Sequence, residues 1–486
     1  MPFIKPVKSL YDTCIKTVHD VIYSYSTHLE KDRIDNRSVK IADLNGFLTK
    51  TIPTQILDDI LLCHQTAKNE DLTLSTTDSY YSYYFYRAVL HGNVQKFQAK
   101  NHRLTVSYWK CLFKTSFINV KVLNLALSCN DAILKMIPKY CPNLEWLNAT
   151  CKYERVNQGG NATSFTLSVT DVGLACLCNC RKLKILTIND PRSAVRGLRN
   201  SITYDGIRKL LREVKTLEDI TYSDLGTVIA KNMDDVEALN INILRHFNAT
   251  KASLFEIFRL CNNLQELYLV FFKYDDQQGV MDELLNSSYC LRALEVQNLN
   301  CGNSFVPFLE KIGASLVFLS ISNEYEGITF ADLITIGRLC PNLKSFGCST
   351  IDNRSDHFIQ RPVNINQFQH LENLFINGLA LDLLNVIRFV TGNARNFKNF
   401  KLEEKLNRTN VDHLFDEIPL PENVQHIEMG RKLEFSRAGV KRLIDRFVNL
   451  TYLSVYSDED CGDLVQCYRN GNYDFTFINK KNNPLF

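Results

Sequence analysis

Long apolar runs are missing from this chain. The longest, Leu267–Phe272, falls far short of the roughly 20 residues that a bilayer-spanning helix needs. A charge imbalance is missing too, with 56 Lys+Arg against 53 Asp+Glu and a formal net charge of +3. No dense basic run occurs, so neither a phosphate backbone nor an anionic membrane is indicated as a partner. The stretch Met1–Asp20 carries Lys5, Lys8, Lys16 and Asp20 and no apolar core, so it does not read as a secretory signal. The expectation is a reducing compartment, cytoplasm or nucleus, where thiols stay free.

Catalytic signatures are equally scarce. There is no Gly-x-Ser-x-Gly elbow, no phosphate loop and no His-Glu-x-x-His. The 10 histidines are isolated from one another and from any patterned cysteine. Cys176-Leu-Cys178-Asn-Cys180 is one cluster with metal-ligand spacing, but no fourth ligand falls nearby. No catalytic residue, metal or cofactor is therefore expected.

What the chain does have is a period. An apolar residue, two variable ones, a second apolar one, one variable and a third apolar one recur along it. The first position falls at Val94, Val120, Leu144, Leu183, Leu217, Val236, Leu264, Leu291, Leu316, Leu343, Leu371, Phe397, Val424 and Leu450. From Leu264 onward the steps are 27, 25, 27, 28, 26, 27 and 26 residues. A core of this form at this period is the leucine-rich-repeat signature. The last two apolar positions are two apart, so on a short strand both point inward, and the residues beside them point out. Segments such as Ala331–Leu339, apolar at helical spacing, read as helices on the opposite side. The expected fold is α/β, a right-handed leucine-rich-repeat solenoid with a curved parallel sheet, helices on its convex side and a helical N-terminal cap.

Four repeats end their helix with cysteine, at Cys141, Cys180, Cys261 and Cys340, each three residues before the first apolar position. The pattern resembles the cysteine-containing subclass of leucine-rich repeats, common in substrate receptors of cullin-RING ubiquitin ligases. The plain reading of these cysteines is small buried hydrophobes closing each helix. The repeats cover residues 66–456, about 14 units, with 457–486 as a C-terminal cap in which Tyr473–Phe477 closes the open end. The 39-residue step from Leu144 to Leu183 holds a polar segment, Tyr153–Thr166, read as a mobile loop around Gly159-Gly160.

Residues 1–65 differ in character. Ser9 suits a helix N-cap, with Leu10, Cys14 and Val18 falling on one stripe beyond it. Pro53 suits the first turn of a second helix carrying Ile56 and Ile60. Ser9, Leu10, Cys14 and Val18 resemble the elongin-C-binding half of a VHL-box, and Ile52, Pro53, Ile56 and Ile60 resemble its cullin-binding half. The resemblance implies docking to elongin B/C and a cullin, helix in groove. The 33 residues between Val18 and Ile52 exceed the spacing of compact VHL-boxes. The segment Ile52–Leu61 also resembles an F-box opening, which implies a Skp-family adaptor instead. A third reading is that both helices only cap the array. The aromatic run Tyr80–Tyr86 reads as the buried junction with the first repeat.

Any target would bind the outward residues of successive strands. The candidates are Trp146, Asn148, Glu266, Tyr268, Glu295, Gln297, Phe318, Phe375, Tyr452 and Tyr456, aromatics among polar groups as in protein interfaces. The functional expectation is a substrate-recognition adaptor of a cullin-RING ligase. An F-box-type adaptor and a non-ligase interaction scaffold remain as alternatives, with the target unspecified.

Overall fold

The computed structural model describes residues 10–480 apart from 32–36, 67–77, 100–103, 127, 151–152, 158–162, 168, 189–201, 223, 232, 234, 248, 272–276, 299–304, 323–327, 350–366, 378–382, 404–408, 411, 413–419, 432, 448 and 471–474. The chain divides into two compact units, Lys8–Arg245 with Arg259–Asn263, and His246–Phe258 with the residues from Leu264 onward.

The first unit opens with helices α1 (Leu10–Lys31), α2 (Arg37–Thr51), α3 (Thr54–Thr66) and α4 (Asp78–Val89). In α1, Ile15, His19, Ile22, Ser26 and Leu29 recur every three or four residues, and all are buried. They face α4, where Tyr83, Tyr84, Phe85, Tyr86, Ala88 and Val89 are buried in near-continuous sequence, so α1, α2 and α3 all pack on it. The aromatic run leads on into the repeats. Tyr86 meets Phe97 edge-on at 5.0 Å between centroids, and Tyr83 stacks on Tyr108 at 3.9 Å. It forms the junction expected of it, although the side chains of Tyr80 and Tyr81 lie outside the described residues.

Strands β1 (Lys96–Gln98), β2 (Val122–Asn124) and β3 (Trp146–Asn148) follow. After a hairpin of β4 (Tyr153–Asn157) and β5 (Thr163–Leu167) come β6 (Ile185–Thr187), β7 (Asp219–Thr221) and β8 (Ile243–Phe247). β1, β2, β3, β6 and β7 form a parallel ladder that aligns Phe97, Leu123, Leu147, Leu186 and Ile220. All five are fully buried or nearly so. The segment 153–166, expected as a loop, is for the most part this antiparallel hairpin, with Tyr153 opposite Leu167. Phe165 and Leu167 alternate with Ser164 and Thr166 as a strand would, but Tyr153-Glu-Arg-Val156 does not alternate, and the polar composition read as a loop. Gly159 and Gly160 lie outside the described residues.

The second unit continues with β9 (Glu266–Val270), β10 (Ala293–Gln297), β11 (Phe318–Ser322), β12 (Ser345–Ser349), β13 (Asn373–Asn377) and β14 (Asn399–Glu403). A small side ladder pairs β15 (Thr409–Asn410) with β17 (Leu433–Glu434), while β16 (His426–Met429), β18 (Tyr452–Val455) and β19 (Thr476–Asn479) complete the parallel sheet. Register aligns Leu267, Leu294, Leu319, Phe346, Leu374, Phe400, Ile427 and Leu453 in one buried column. Each such side chain contributes about 1.5–3 kcal/mol through burial. The C-terminal aromatic stretch contributes β19 as one more strand of the sheet, with Phe475 buried beside it. Tyr473 lies outside the described residues.

Three polar devices recur where one repeat passes into the next. First, the residue three before the leading apolar position closes a turn through its carbonyl, as Leu144 N–H to Cys141 O at 3.2 Å and Leu343 N–H to Cys340 O at 3.3 Å. Second, the asparagine just before the leading position donates its amide to the preceding repeat's backbone. Asn119 reaches Gly92 O at 2.8 Å, Asn143 reaches Ile118 O at 3.2 Å and Asn342 reaches Ala314 O at 2.8 Å. Third, an aspartate of one repeat holds the N-cap of the next helix. Asp131 accepts from Thr170 N and Oγ1 at 2.8 and 2.6 Å, and Asp171 does the same for Thr203 at 2.9 and 2.7 Å. Asp412 takes Ser436 in the same way. Three residues after each cap stands a glycine, Gly173, Gly206 or Gly439. A Cβ there would come within 2.3, 2.1 and 2.0 Å of the aspartate oxygen.

One frame shifts from the sequence expectation. Val236 does not begin a repeat core; the strand here is Ile243–Phe247, so the apolar positions are Ile241 and Leu244, both buried, with His246 third. The polar third residue broke the pattern. His246 is buried all the same, with Nε2 2.8 Å from Ser253 Oγ.

The glycine rule gives an opposed pair of outcomes. Gly206→Ala should lose the Asp171 clamp on Thr203 and cost about 1–2 kcal/mol. Gly46→Ala, mid-helix with nothing within 4 Å of its new methyl, should gain about 0.5–1 kcal/mol. Denaturant midpoints measure both, and equal signs would refute the clamp.

Candidate functional site

The sequence-derived docking residues stand on opposite terms with solvent. On α1, Leu10 is 81% exposed, Cys14 is exposed and Val18 is half-buried. Val21 and Tyr25, 64% and 39% exposed, continue the same stripe for two more turns. The face that packs on α4 is a different set, Ile15 through Leu29, and of the stripe only Val18 is partly covered. Tyr11 at its start donates to Asp59 of α3. Ser9 lies outside the described residues. Neither Leu10 nor Cys14 is covered by the described residues of the array.

The second stripe is arranged otherwise. Pro53 is exposed, Ile52 and Ile56 are half-buried, and Ile60 is wholly buried together with Leu57 and Leu61. Ile60 therefore belongs to the interior of the helical segment, and only the earlier part of this stripe reaches solvent. His64, near the end of α3, stacks on Phe85 at 4.1 Å and lies 3.1 Å from His19 Nε2, which fixes α3 against α1 and α4.

The outward candidates fall into rows across each sheet, because register is one residue for one. In the first unit Trp146 and Asn148 lie on the outward face, but Asn148 Oδ1 accepts from Thr150 N and Oγ1 at 3.1 and 2.9 Å and so braces its own turn. In the second unit one row runs Glu266, Ala293, Phe318, Ser345, Asn373, Asn399, His426, Tyr452. The next runs Tyr268, Glu295, Ser320, Gly347, Phe375, Lys401, Glu428, Ser454. Glu266 receives the Tyr268 hydroxyl at 3.0 Å, and Gln297 donates to Glu295 at 2.8 Å. Tyr456 is not outward: it is buried, in a bridge with Glu434 and 3.2 Å from Asp458, because the strand alternation ends at β18.

Phe318, Phe375 and Tyr452 converge on a hollow of about 500 Å³ that spreads over β11–β14, β16 and β18. Its other lining residues include Ser345, Gly347, Asn373, Asn399, Lys401, His426 and Glu428. Asn373 donates to Ser345 Oγ at 2.7 Å and Asn399 donates to Asn373, so amides and a hydroxyl form a ladder down one row. His426 and Tyr452 face each other at 5.8 Å. Lys401 lies 3.0 Å from Glu403, 3.4 Å from Glu428 and 5.3 Å from the Phe375 ring centre. Partial burial alone would lower its ammonium, but the Glu403 hydrogen bond and the Glu428 charge outweigh this and hold it above the usual lysine value. Lys480, itself buried, approaches Glu428 to 3.2 Å from the other side.

None of Ser345, Gly347, Asn373, Asn399, Lys401 or Glu428 was singled out from sequence. Individually they are ordinary residues. Writing the repeats one beneath another would have shown the polar column, since Ser345, Asn373 and Asn399 occupy the same place in three successive repeats.

The cysteine cluster does not converge. Cys176 Sγ turns back to Val172 O at 3.4 Å and Cys178 Sγ to Leu174 O at 4.0 Å, while Cys180 is buried at the helix exit. Among the described residues no three His, Cys, Asp or Glu side chains are placed to share a metal, and no helix is long and apolar enough to cross a membrane.

Parallel strands stacked in register, apolar columns inside, helices between them and buried residues at the helix exits together define an α/β leucine-rich-repeat protein. No protein-family model and no curated protein matches the chain. Among solved structures it is similar to a chain in the crystal structure of the Rad7 and Elc1 complex in yeast. The identity is 15% and the TM-score 0.45, over 99% of this chain and 100% of that one.

Burial pushes the thiols of Cys180, Cys261 and Cys340 up to about 12, whereas Cys14 and Cys290 are exposed. In the native protein near neutral pH, a small alkylating reagent should therefore label Cys14 and Cys290 first among the described cysteines. The three helix-exit cysteines should react on the order of a hundredfold more slowly until denaturant is added. Mass spectrometry of the labelled peptides reads this directly, and early labelling of Cys340 would contradict its place in the core.

Proposed function

We propose that this chain is a substrate-recognition adaptor of a cullin-RING ubiquitin ligase. In this reading α1 docks elongin B/C through Leu10, Cys14 and Val18, and the outward face of the sheet holds a target protein. One observation carries it: α1 keeps Leu10, Cys14, Val21 and Tyr25 in solvent as one apolar stripe, while the neighbouring face from Ile15 to Leu29 is buried in the helical segment. Exposing a leucine forgoes about 1.5–3 kcal/mol of burial, and a helix-in-groove partner restores it. A cullin would approach the neighbouring Pro53, Ile52 and Ile56, with Ile60 supporting them from the core. An F-box-type contact with a Skp-family adaptor would use the same 52–61 segment, but it leaves the α1 stripe without a role.

The test is co-purification of tagged full-length protein from cells. Wild type should bring elongin B and C and a cullin. Leu10→Ser combined with Cys14→Phe should reduce recovery by about tenfold or more while leaving stability within about 0.5 kcal/mol, since both positions are exposed. Ile15→Ser, on the packed face, should instead destabilise by roughly 2–4 kcal/mol. Retention of elongin by the double variant, or recovery of a Skp-family protein in its place, would sink the reading.

A further inference from the structure

We infer that the hollow over Gly347 receives a single uncharged apolar side chain, aromatic by preference, from an extended segment of a target protein. This deepens the reading of the outward face as the target surface and rests on it.

The hollow follows from register. Ser320, Gly347 and Phe375 are neighbours across β11, β12 and β13. Strands lie about 4.8 Å apart, so the backbones that carry Ser320 and Phe375 stand roughly 10 Å apart, with only a hydrogen on the strand between them. A Cβ on Gly347 would lie 2.8 Å from Ser320 Oγ and 3.6 Å from Phe375 Cδ1, so these two side chains close over the glycine to form the floor, and any larger residue at 347 would displace them and push into the hollow above. Phe318 and Phe375 contribute apolar walls on either side of it. Rings at such walls favour an incoming aromatic edge or an offset face.

Charge decides against an ionic ligand. Beside the hollow, Lys401 pairs with Glu403 and Glu428, and Lys480 also approaches Glu428. Two cations and two anions cancel, so a charged side chain entering here would be desolvated without a net counter-charge to meet it. The amides of Asn373 and Asn399, by contrast, carry both donor and acceptor groups, as a peptide backbone does.

Shape decides for a chain over a free small molecule. Sites for small ligands bury about 70–90% of the ligand surface. This hollow lies open on a sheet that continues to both sides, through Glu295 in one direction and Ser454 in the other. A chain laid across the sheet buries its backbone on the flanking rows while one side chain fills the centre. An apolar anchor inside a polar surround is the usual arrangement of an interface hot spot.

The test uses full-length protein and Gly-Ser peptides of roughly nine residues, about 30 Å when extended, each with one central Phe, Lys or Asp. Ligand-observed NMR should show the Phe peptide binding about tenfold or more tightly than the Lys and Asp peptides. Gly347→Leu, which plugs the hollow, should weaken the Phe peptide by about tenfold or more. Phe375→Ser, at a half-buried surface position, should do the same, so the outcome does not depend on Gly347→Leu folding. Equal binding of the Phe, Lys and Asp peptides would overturn the proposal, as would an unaltered affinity in Phe375→Ser. Capped phenylalanine amide binding as tightly as the whole peptide would make this a small-molecule site and overturn the peptide assignment. Gly347→Leu leaves α1 untouched and should keep elongin recovery at the wild-type level. In the wild-type protein, elongin recovery without a preference for the Phe peptide refutes only this site, and the preference without elongin recovery refutes only the adaptor.

Discussion

A strand that sends two apolar side chains to one side can bury them only against the strands beside it. Everything else in this protein follows from that dependence. Leu294 is covered because Leu267 and Leu319 flank it in register, and neither could be covered alone. The polar devices serve the same end. Asparagine amides reach back one repeat to a backbone carbonyl, aspartates reach forward to the next N-cap, and cysteine-ended helices turn sharply enough for the next strand to fall into line. Each satisfies a backbone group that a turn leaves without a helix or sheet partner. None is a strong interaction singly, and their repetition holds the register.

Register then sets the chemistry of the outward face. Residues more than 20 positions apart in sequence become neighbours about 5 Å apart, so a surface property belongs to a column and not to a segment. The Ser345–Asn373–Asn399 ladder is such a property, and so is the gap at Gly347 between Ser320 and Phe375. The strands supply a rigid base, while the side chains on them set which partners fit. A substitution inside a column should disturb stability and spare surface chemistry, whereas one in an outward row does the reverse.

The N-terminal helices are governed by a different economy of surface. Here α4 is apolar nearly all round and acts as the hub, which frees each surrounding helix to use only one face for packing. In α1 the solvent-facing side carries the apolar stripe of Leu10, Cys14, Val21 and Tyr25 beside the exposed charges of Asp12, Lys16 and Asp20. In α3 the corresponding residues turn inward, and Ile60 joins the core. Two stripes that look equivalent as patterns thus differ in availability: on α1 the stripe lies beside the packed face, and on α3 Ile60 falls within it, with His64 stacked on Phe85.

The repeat was legible because its period and its paired apolar positions are properties of neighbouring residues, and burial of those residues is almost obligatory. The same locality made the helix-exit cysteines and the aromatic junction readable. It failed where a local rule was broken by tertiary context: His246 stands at an apolar position with Ser253 as its partner, the polar 153–166 segment pairs with itself, and Tyr456 turns in where alternation ends. Sequence alone determined that this is a leucine-rich-repeat chain with a patterned helical segment ahead of it. Only the tertiary structure decided which side of each stripe meets solvent and which outward residues share a hollow. Those depend on contacts between residues distant in the chain, and no local pattern encodes which neighbour arrives.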